Sequence, residues 1–349
     1  MIYYDTSFIN YHNPEFGSLE CGQRVNIDLQ WYRNNGYTII TPKFRQIYLD
    51  FLNKLHKNNL VLQYLATEPF NKNLFQKIFN IQTPNTTDRN CHRCTMYMTE
   101  NVCTFCSTKI DDSRFFKYAH LLDKNIPDSD TTYFTHTSYL AIRNAVSLVC
   151  QMVGSKKNGF AIIRPPGHHA SMNRSGGFCL VNNIAIAALY ALSLGYNKIF
   201  IFDFDAHHGN GTQDIFYDKS SVYYCSIHTL IAYPQTGKED ELGIGNGYGY
   251  NTNITVPIGI TTDEYLNIFE QRVLPIIKSY GPDLILVSAG FDGLVTDPMS
   301  IMKLTPKCYS EMTKSLTATN VPVMMVLEGG YDLAHIDECI RLCAIELGK

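Results

Sequence analysis

The sequence predicts an α/β protein built on a single open, doubly wound parallel sheet with helices on both faces. Three observations predict it. From residue 136 onward, short apolar runs alternate with longer helical stretches, the pattern of a covered parallel sheet. The runs are apolar throughout, as strands buried on both faces are. The polar residues able to do chemistry fall just after the runs end, at the carboxyl edge where such sheets bind ligands.

Ile2–Tyr4 reads as a short first strand, and Thr38–Ile40, after the Gly36-Tyr37 turn, as a second. Residues 43–80 carry apolar positions at Phe44, Ile47, Tyr48, Phe51 and Leu55, spaced for a helix. A helix over 138–153 precedes strand Gly159–Ile163. An apolar helix over 180–194 is closed by Gly195 at C′. The β-favouring run from Ile199 reaches Asp203 and is followed by a short helix over 212–217. Strand Val222–Ile227, a glycine-rich loop over 243–250 and a strand ending at Ile258 come next. Thr261 and Glu264 form a capping box for a helix to Tyr280, kinked at Pro275. Strand Leu284–Ser288 follows, then a helix with Thr305 as N-cap and Pro306 at N1. Strand Val321–Leu327 and a last helix end a chain that reads as one domain over 1–349. Residues 81–132 stand apart as a polar, cysteine-rich insertion without a core of its own.

Bulk composition narrows the class. A hydrophobic fraction of 45% and a charged fraction of 17% suit a soluble globular protein. A net charge of -3 gives no basis for direct nucleic-acid binding or for an anionic membrane surface. No apolar run approaches the ~20 residues of a membrane span, and the first residues lack the pattern of a signal peptide. The 11 cysteines, several in apolar segments, suit free thiols in a reducing intracellular setting, cytoplasm or nucleus.

Asp203, Asp205 and His207 occupy alternate positions, so they face one way if the extended backbone persists. Two carboxylates and an imidazole at a buried strand end are costly without a cationic partner, and a divalent metal is the simplest. Asp205, His207 and Asp292 offer two carboxylate oxygens and one imidazole nitrogen, the ligand set of a catalytic zinc with a position left for water. Singly, each reads more readily as a capping Asp or a hydrogen-bonded core His; the convergence of strand ends decides for the metal. His168-His169, after two prolines and a glycine, offer adjacent imidazoles for general base and acid, though a lone pair could also cap or ligate. Tyr331, after Gly329-Gly330, reads as a turn aromatic or as a phenol donating to an oxyanion.

RPPGHHA at 164–170, GGFCLVNN at 176–183, DFDAHHGNGTQDIFY at 203–217, SIH at 226–228, AGFDGLVTDP at 289–298 and LEGGY at 327–331 resemble the zinc-dependent histone deacetylase superfamily, which includes acetylpolyamine amidohydrolases. The resemblance covers roughly 136–348 and is loose over the first 130 residues. It implies an open α/β domain of the arginase-deacetylase type with zinc on Asp205, His207 and Asp292. It makes His168 and His169 the tandem catalytic pair, with Asp203 orienting His168 and Asn210 beside the second histidine. Tyr331 becomes the oxyanion donor. The asparagine at 210 resembles class II and bacterial members. Phe178 and Tyr233 would wall an acyl-lysine channel, with Gly177 and Gly330 along it and Met299 near its rim. A potassium site would use Ser226 with backbone oxygens that include that of Ile227. The implied activity is hydrolysis of the acetyl amide of N-acetyl-lysine in histones or other proteins, with an acetylated polyamine as the alternative substrate. In the implied mechanism His169 takes a proton from water and a histidine protonates the leaving amine. No motif residue corresponds to the acidic residue that grips the peptide backbone in protein deacetylases.

Cys91-x2-Cys94-x8-Cys103-x2-Cys106 has the double-knuckle form of a structural zinc site. A metal would order a loop that has too little apolar content to order itself; four free thiols are the alternative. Such a knuckle could narrow the channel mouth or form a subunit contact in a homo-oligomer. Two other readings are weighed. A binuclear manganese ureohydrolase shares Asp205-Ala206-His207, but His208 and Gly209 stand where its further ligands should be, and Asp292 is followed by Gly293 and Leu294. A non-catalytic acyl-lysine binder predicts a lost ligand or a lost Tyr331, and none is lost.

Overall fold

Eight parallel strands form one open sheet, and the end of an interior strand carries Asp203. The computed structural model describes residues 1–12, 18–59, 62–63, 130–135 and 137–348, with the backbone alone at 98–99, 102–103 and 116–118. The strands are β1 (Ile2–Tyr4), β2 (Ile39–Ile40), β3 (Met98–Thr99), β4 (Val102–Cys103), β5 (Phe116–Tyr118) and β6 (Tyr133–Thr135). They continue as β7 (Gly159–Ile162), β8 (Ile199–Asp203), β9 (Val222–His228), β10 (Asn251–Thr255), β11 (Leu284–Ala289) and β12 (Val323–Leu327). The large sheet runs β10-β9-β8-β11-β12-β7-β1-β2, and β3-β4 and β5-β6 form two small antiparallel pairs.

The order explains where a site can form. From β8 the chain moves outward to β9 and β10; from β11 it moves the other way, to β12. The crevice beyond β8 and β11 is therefore a topological switch point, where open α/β sheets bind ligands. β7, β8, β11 and β12 are buried along their whole length, which matches their unbroken apolar runs. Helices Gln46–Leu55, Ser138–Ser155 and Asn183–Ser193 pack together, and Thr262–Ile268, Pro306–Thr317 and Ile336–Leu347 form the second layer.

Several sequence readings shift. The helix expected over 43–80 starts at Gln46 and ends at Leu55; its remainder lies mostly outside the described residues. Phe44 is exposed and lies under the Arg143 guanidinium, 4.3 Å from its ring centre. The helix expected from 180 begins at Asn183, because the Asn182 side chain caps the Ala185 N–H at 2.9 Å. The helix expected from 212 begins at Asn210. The strand expected to reach Ile258 stops at Thr255; Pro257 has no N–H for the ladder. The capping box at Thr261 and Glu264 is formed, and Thr305 with Pro306 starts its helix. Before Pro275 the helix widens into a π turn over Phe269–Val273, which relieves the clash of the proline ring with the carbonyl one turn back.

The N-terminal segment is joined to the sheet by buried charge. Arg164, just past β7, donates from Nε to Glu20 Oε1 at 2.9 Å and from its terminal nitrogen to Glu20 Oε2 at 2.6 Å. Arg24 donates to the same carboxylate at 3.0 Å, and the Tyr133 hydroxyl at 2.8 Å. Burial alone would raise the pKa of Glu20, but Arg164, His12 and Arg24 outweigh it and bring it down to about 2. Glu20→Gln should cost ~3–5 kcal/mol, because it leaves two buried guanidiniums short of a counter-charge. Since the folded-state pKa lies below the ordinary 4.5, this stabilisation is present above pH 4.5 and is lost as pH falls toward about 2. Denaturant titrations across that range should show a shallower acid loss in the variant than in the wild type; equal slopes would contradict the assignment.

Candidate active site

β8 ends at Asp203, and Asp205 and His207 lie in the bend beyond it. They converge through this bend and not by strand alternation. Asp203 Oδ1 accepts the Asp205 N–H at 3.2 Å, and Asp205 Oδ1 accepts the His207 N–H at 2.9 Å. Asp292, just past β11, accepts the Ala206 N–H at 2.9 Å and lies 2.7 Å from His207 Nδ1. His207 Nδ1 is also 3.1 Å from Asp205 Oδ1. One ligand-capable atom each from Asp205, His207 and Asp292 lies within 4.8 Å of the others, and all three residues are buried.

The surroundings fit a cation. A Cβ at Gly290 would lie 2.0 Å from Asp205 Oδ2, and one at Gly329 would lie 2.5 Å from both Asp205 Oδ2 and Asp292 Oδ2. Only glycine leaves room for the carboxylate cradle there. Burial pushes Asp292 up to about 6, with the Asp205 charge adding to it. Asp205 is held well below the ordinary range: burial opposes this, but His168 and His207 prevail. Two buried carboxylates facing one imidazole are the donor set that a divalent zinc takes.

The tandem histidines reach this point from β7. Gly167 and His168 donate their N–H groups to Glu328 Oε2 at 2.6 and 3.1 Å. His168 Nδ1 lies 3.1 Å from Asp203 Oδ2, and His169 Nδ1 lies 2.8 Å from Asn210 Oδ1. The two rings are 4.0 Å apart. Burial lowers the pKa of both, but Asp205 and Asp203 bring His168 up to about 10. His169 stays well below its ordinary value through burial and the neighbouring His168 charge. A dication on Asp205 would cancel that carboxylate's pull on His168 and leave that of Asp203. The two environments push the pair apart: burial and the His168 charge disfavour a proton on His169, while Asp205 and Asp203 favour one on His168.

Tyr331 is buried behind Gly330, whose φ of +111° disfavours any side chain. The Phe178 ring stands edge-on to Tyr331 at 5.8 Å, and Tyr233 edge-on to His169 at 4.9 Å. The two expected channel walls thus each touch an expected catalytic ring. A Cβ at Gly177 would lie 2.4 Å from His169 Cδ2, so that position holds the backbone against the imidazole. Met299 is half-buried on the loop after β11. Ser226 pairs with Asp203 across the sheet, but its hydroxyl is 2.9 Å from His228 Nδ1; the Ile227 carbonyl accepts from the Tyr265 hydroxyl at 3.4 Å. Cys91, Cys94 and Cys106 lie outside the described residues, and of Cys103 only the backbone in β4 is described.

Sequence reasoning missed five supporting residues. Arg24 donates to the Gly330 carbonyl at 2.6 Å and to the Glu328 carbonyl, with its guanidinium 4.7 Å from the Tyr331 ring centre. Glu20 neutralises it. Glu328 carries the histidine loop and is pushed up to about 7 by burial. Asp130 accepts from the Gly177 N–H at 3.1 Å and the Tyr233 hydroxyl at 3.0 Å, so the end of the expected insertion is buried in the channel wall. Asp297 accepts the Tyr331 N–H. The available signal was Glu20 and Arg24, opposite charges four residues apart, and the two aspartates of the long motif around 292–297.

A convergent carboxylate–imidazole set beside a split histidine pair, at the switch point of a parallel sheet, has the make-up of a metallohydrolase centre. Comparison with known proteins agrees. The chain belongs to the histone deacetylase domain family, which matches residues 19–347. It is 43% identical over 215 residues to histone deacetylase 15 of Arabidopsis thaliana, covering 59% of this chain and 39% of the relative. It is 42% identical over 232 residues to histone deacetylase 9 of Homo sapiens, covering 62% and 23%. Histone deacetylase HDA1 of Saccharomyces cerevisiae is 42% identical over 230 residues, covering 61% and 32%. The matched segments thus span 39% or less of these relatives' own length. The crystal structure of the HDA15 HD domain superposes with a TM-score of 0.76 at 28% identity, covering 100% of this chain and 91% of that one. Among the described residues no helix is long and apolar enough to cross a membrane.

Proposed function

We propose that this chain is a zinc-dependent deacetylase that hydrolyses the acetyl amide of N-acetyl-lysine in histones or other proteins. The observation that carries the reading is the buried Asp205, His207 and Asp292 set beside the adjacent His168 and His169 rings, whose Nδ1 atoms face Asp203 and Asn210. A zinc held by these three residues supplies Lewis-acid polarisation and acidifies its water. His169, oriented by Asn210, accepts a proton from the attacking water. His168, held by Asp203, donates one to the leaving amine. Tyr331 donates its phenolic hydrogen bond to the oxyanion of the tetrahedral adduct, and Phe178 and Tyr233 exclude water from the reacting amide.

The ureohydrolase reading loses ground on geometry. His208, next to His207, has one ring nitrogen 2.8 Å from Thr236 and the other 3.0 Å from Gln213, so neither is left for a second metal. Potassium at Ser226 and Ile227, and a structural zinc on Cys91, Cys94, Cys103 and Cys106, belong to the same proposal. So does an intracellular setting, supported by the seven free cysteines among the described residues.

Metal removal tests the core of it. A chelator should abolish turnover of a fluorogenic acetyl-lysine peptide, and stoichiometric zinc should restore it. Turnover that survives chelation would refute the zinc reading. Acetylated spermidine run beside an acetylated histone peptide ranks the two substrate classes; a clear preference for spermidine would move the assignment to the polyamine alternative.

A further inference from the structure

The oxyanion role given above to Tyr331 requires its ring to be fixed before the reaction, because preorganised donors are the ones that stabilise charge. The preceding residues leave it free to swing: Gly329 and Gly330 lack side chains, and Gly330 is in the left-handed region at φ +111°. Something else must hold the turn. Arg24 grips the carbonyls of Glu328 and Gly330 on one side. On the other, Asp297 Oδ2 accepts the N–H of Tyr331 at 2.5 Å and that of Asp332 at 3.0 Å. Its second oxygen accepts the Met299 N–H at 2.8 Å. Asp297 is only 6% exposed, so these bonds are sheltered from water. Thr296 adds a bond from its hydroxyl to Asp332 Oδ2 at 2.5 Å.

We propose that Asp297 is a positioning residue, the one that sets Tyr331 for oxyanion donation and ties it to the loop carrying Met299. One carboxylate receives three backbone N–H groups from two segments, and one of those groups belongs to the catalytic tyrosine itself. The inference rests on the deacetylase reading for its kinetic consequence and on the hydrogen bonds alone for its structural one.

Two measurements test it. The first is a double-mutant cycle on an acetyl-lysine peptide. Asp297→Ala should lower kcat ~10-fold or more with KM and zinc content unchanged, and Asp297→Ala/Tyr331→Phe should be no slower than Tyr331→Phe alone, within about 2-fold. A merely structural role predicts losses that multiply in the double variant, and that result would overturn the proposal. The second is backbone amide exchange over 329–334 in the whole chain, wild type against Asp297→Ala. Alanine removes the oxygen that accepts the Tyr331 and Asp332 N–H groups, so exchange at those two amides should rise ~10-fold while the strands stay protected. Unchanged exchange at Tyr331 would also overturn it, whether or not the wild type hydrolyses the amide. Faster exchange in a protein without wild-type turnover would instead refute the deacetylase reading and keep Asp297 as the clamp on the turn.

Discussion

Asp205→Ala, His207→Ala and Asp292→Ala should each reduce amide hydrolysis by about 10³-fold or more, the scale expected when several kcal/mol of charge stabilisation is lost. Zinc content should fall in parallel. The three variants will not behave alike in detail. Asp205 also accepts the Gly329 N–H at 2.8 Å and lies 3.8 Å from His168 Nε2. Its removal therefore loosens the turn before Tyr331 and weakens the protonation of His168 along with the metal. Asp292 bonds the Ala206 N–H and His207, so its removal gives the cleaner reading of lost metal. Elemental analysis on the purified variants decides: full zinc occupancy in all three would end the ligand assignment.

Tyr331→Phe should cost on the order of 10²-fold or more in kcat, as for loss of one oxyanion donor, while KM changes little. Only the phenolic oxygen is removed. The ring keeps its contacts with Phe178 and with Arg24, so packing is preserved. Burial puts the phenol well above its ordinary pKa, with the Arg24 charge opposing, so it stays a protonated donor across the working pH range. Single-turnover rates with the acetyl-lysine peptide separate this from slower product release. Unchanged rates would take Tyr331 out of the mechanism.

The catalytic half of the molecule was legible for a physical reason. β8, β11 and β12 are buried on both faces, so their runs are apolar end to end, and a polar residue just past such a run stands out. Asp205, His207, Asp292 and Tyr331 all announce themselves in this way. The supports do not. Arg24 sits in a short 3-10 turn and Glu20 in the bend before it, with no periodic signal, and their importance appears only once residues 164 and 328–330 are beside them. Asp130 lies at the end of a polar stretch, where a carboxylate is unremarkable until Tyr233 and Gly177 arrive from distant segments. The alternation argument brings Asp203, Asp205 and His207 together along a strand, whereas the strand ends at the first of them and a bend brings the other two round. Pro275 signalled an irregular helix but not its form.

The Glu20 carboxylate has a bearing on how this protein can be divided. Every motif that carries the family resemblance lies beyond residue 136, and a fragment starting there would look self-sufficient on paper. It would keep both histidines, the three ligands and Tyr331. It would also expose one edge of β7 by removing β1, leave Arg164 without its counter-charge, and take away the guanidinium under the tyrosine. The weakly recognisable N-terminal residues are thus part of the candidate site's scaffold, and a boundary drawn by motif content alone would cut through it.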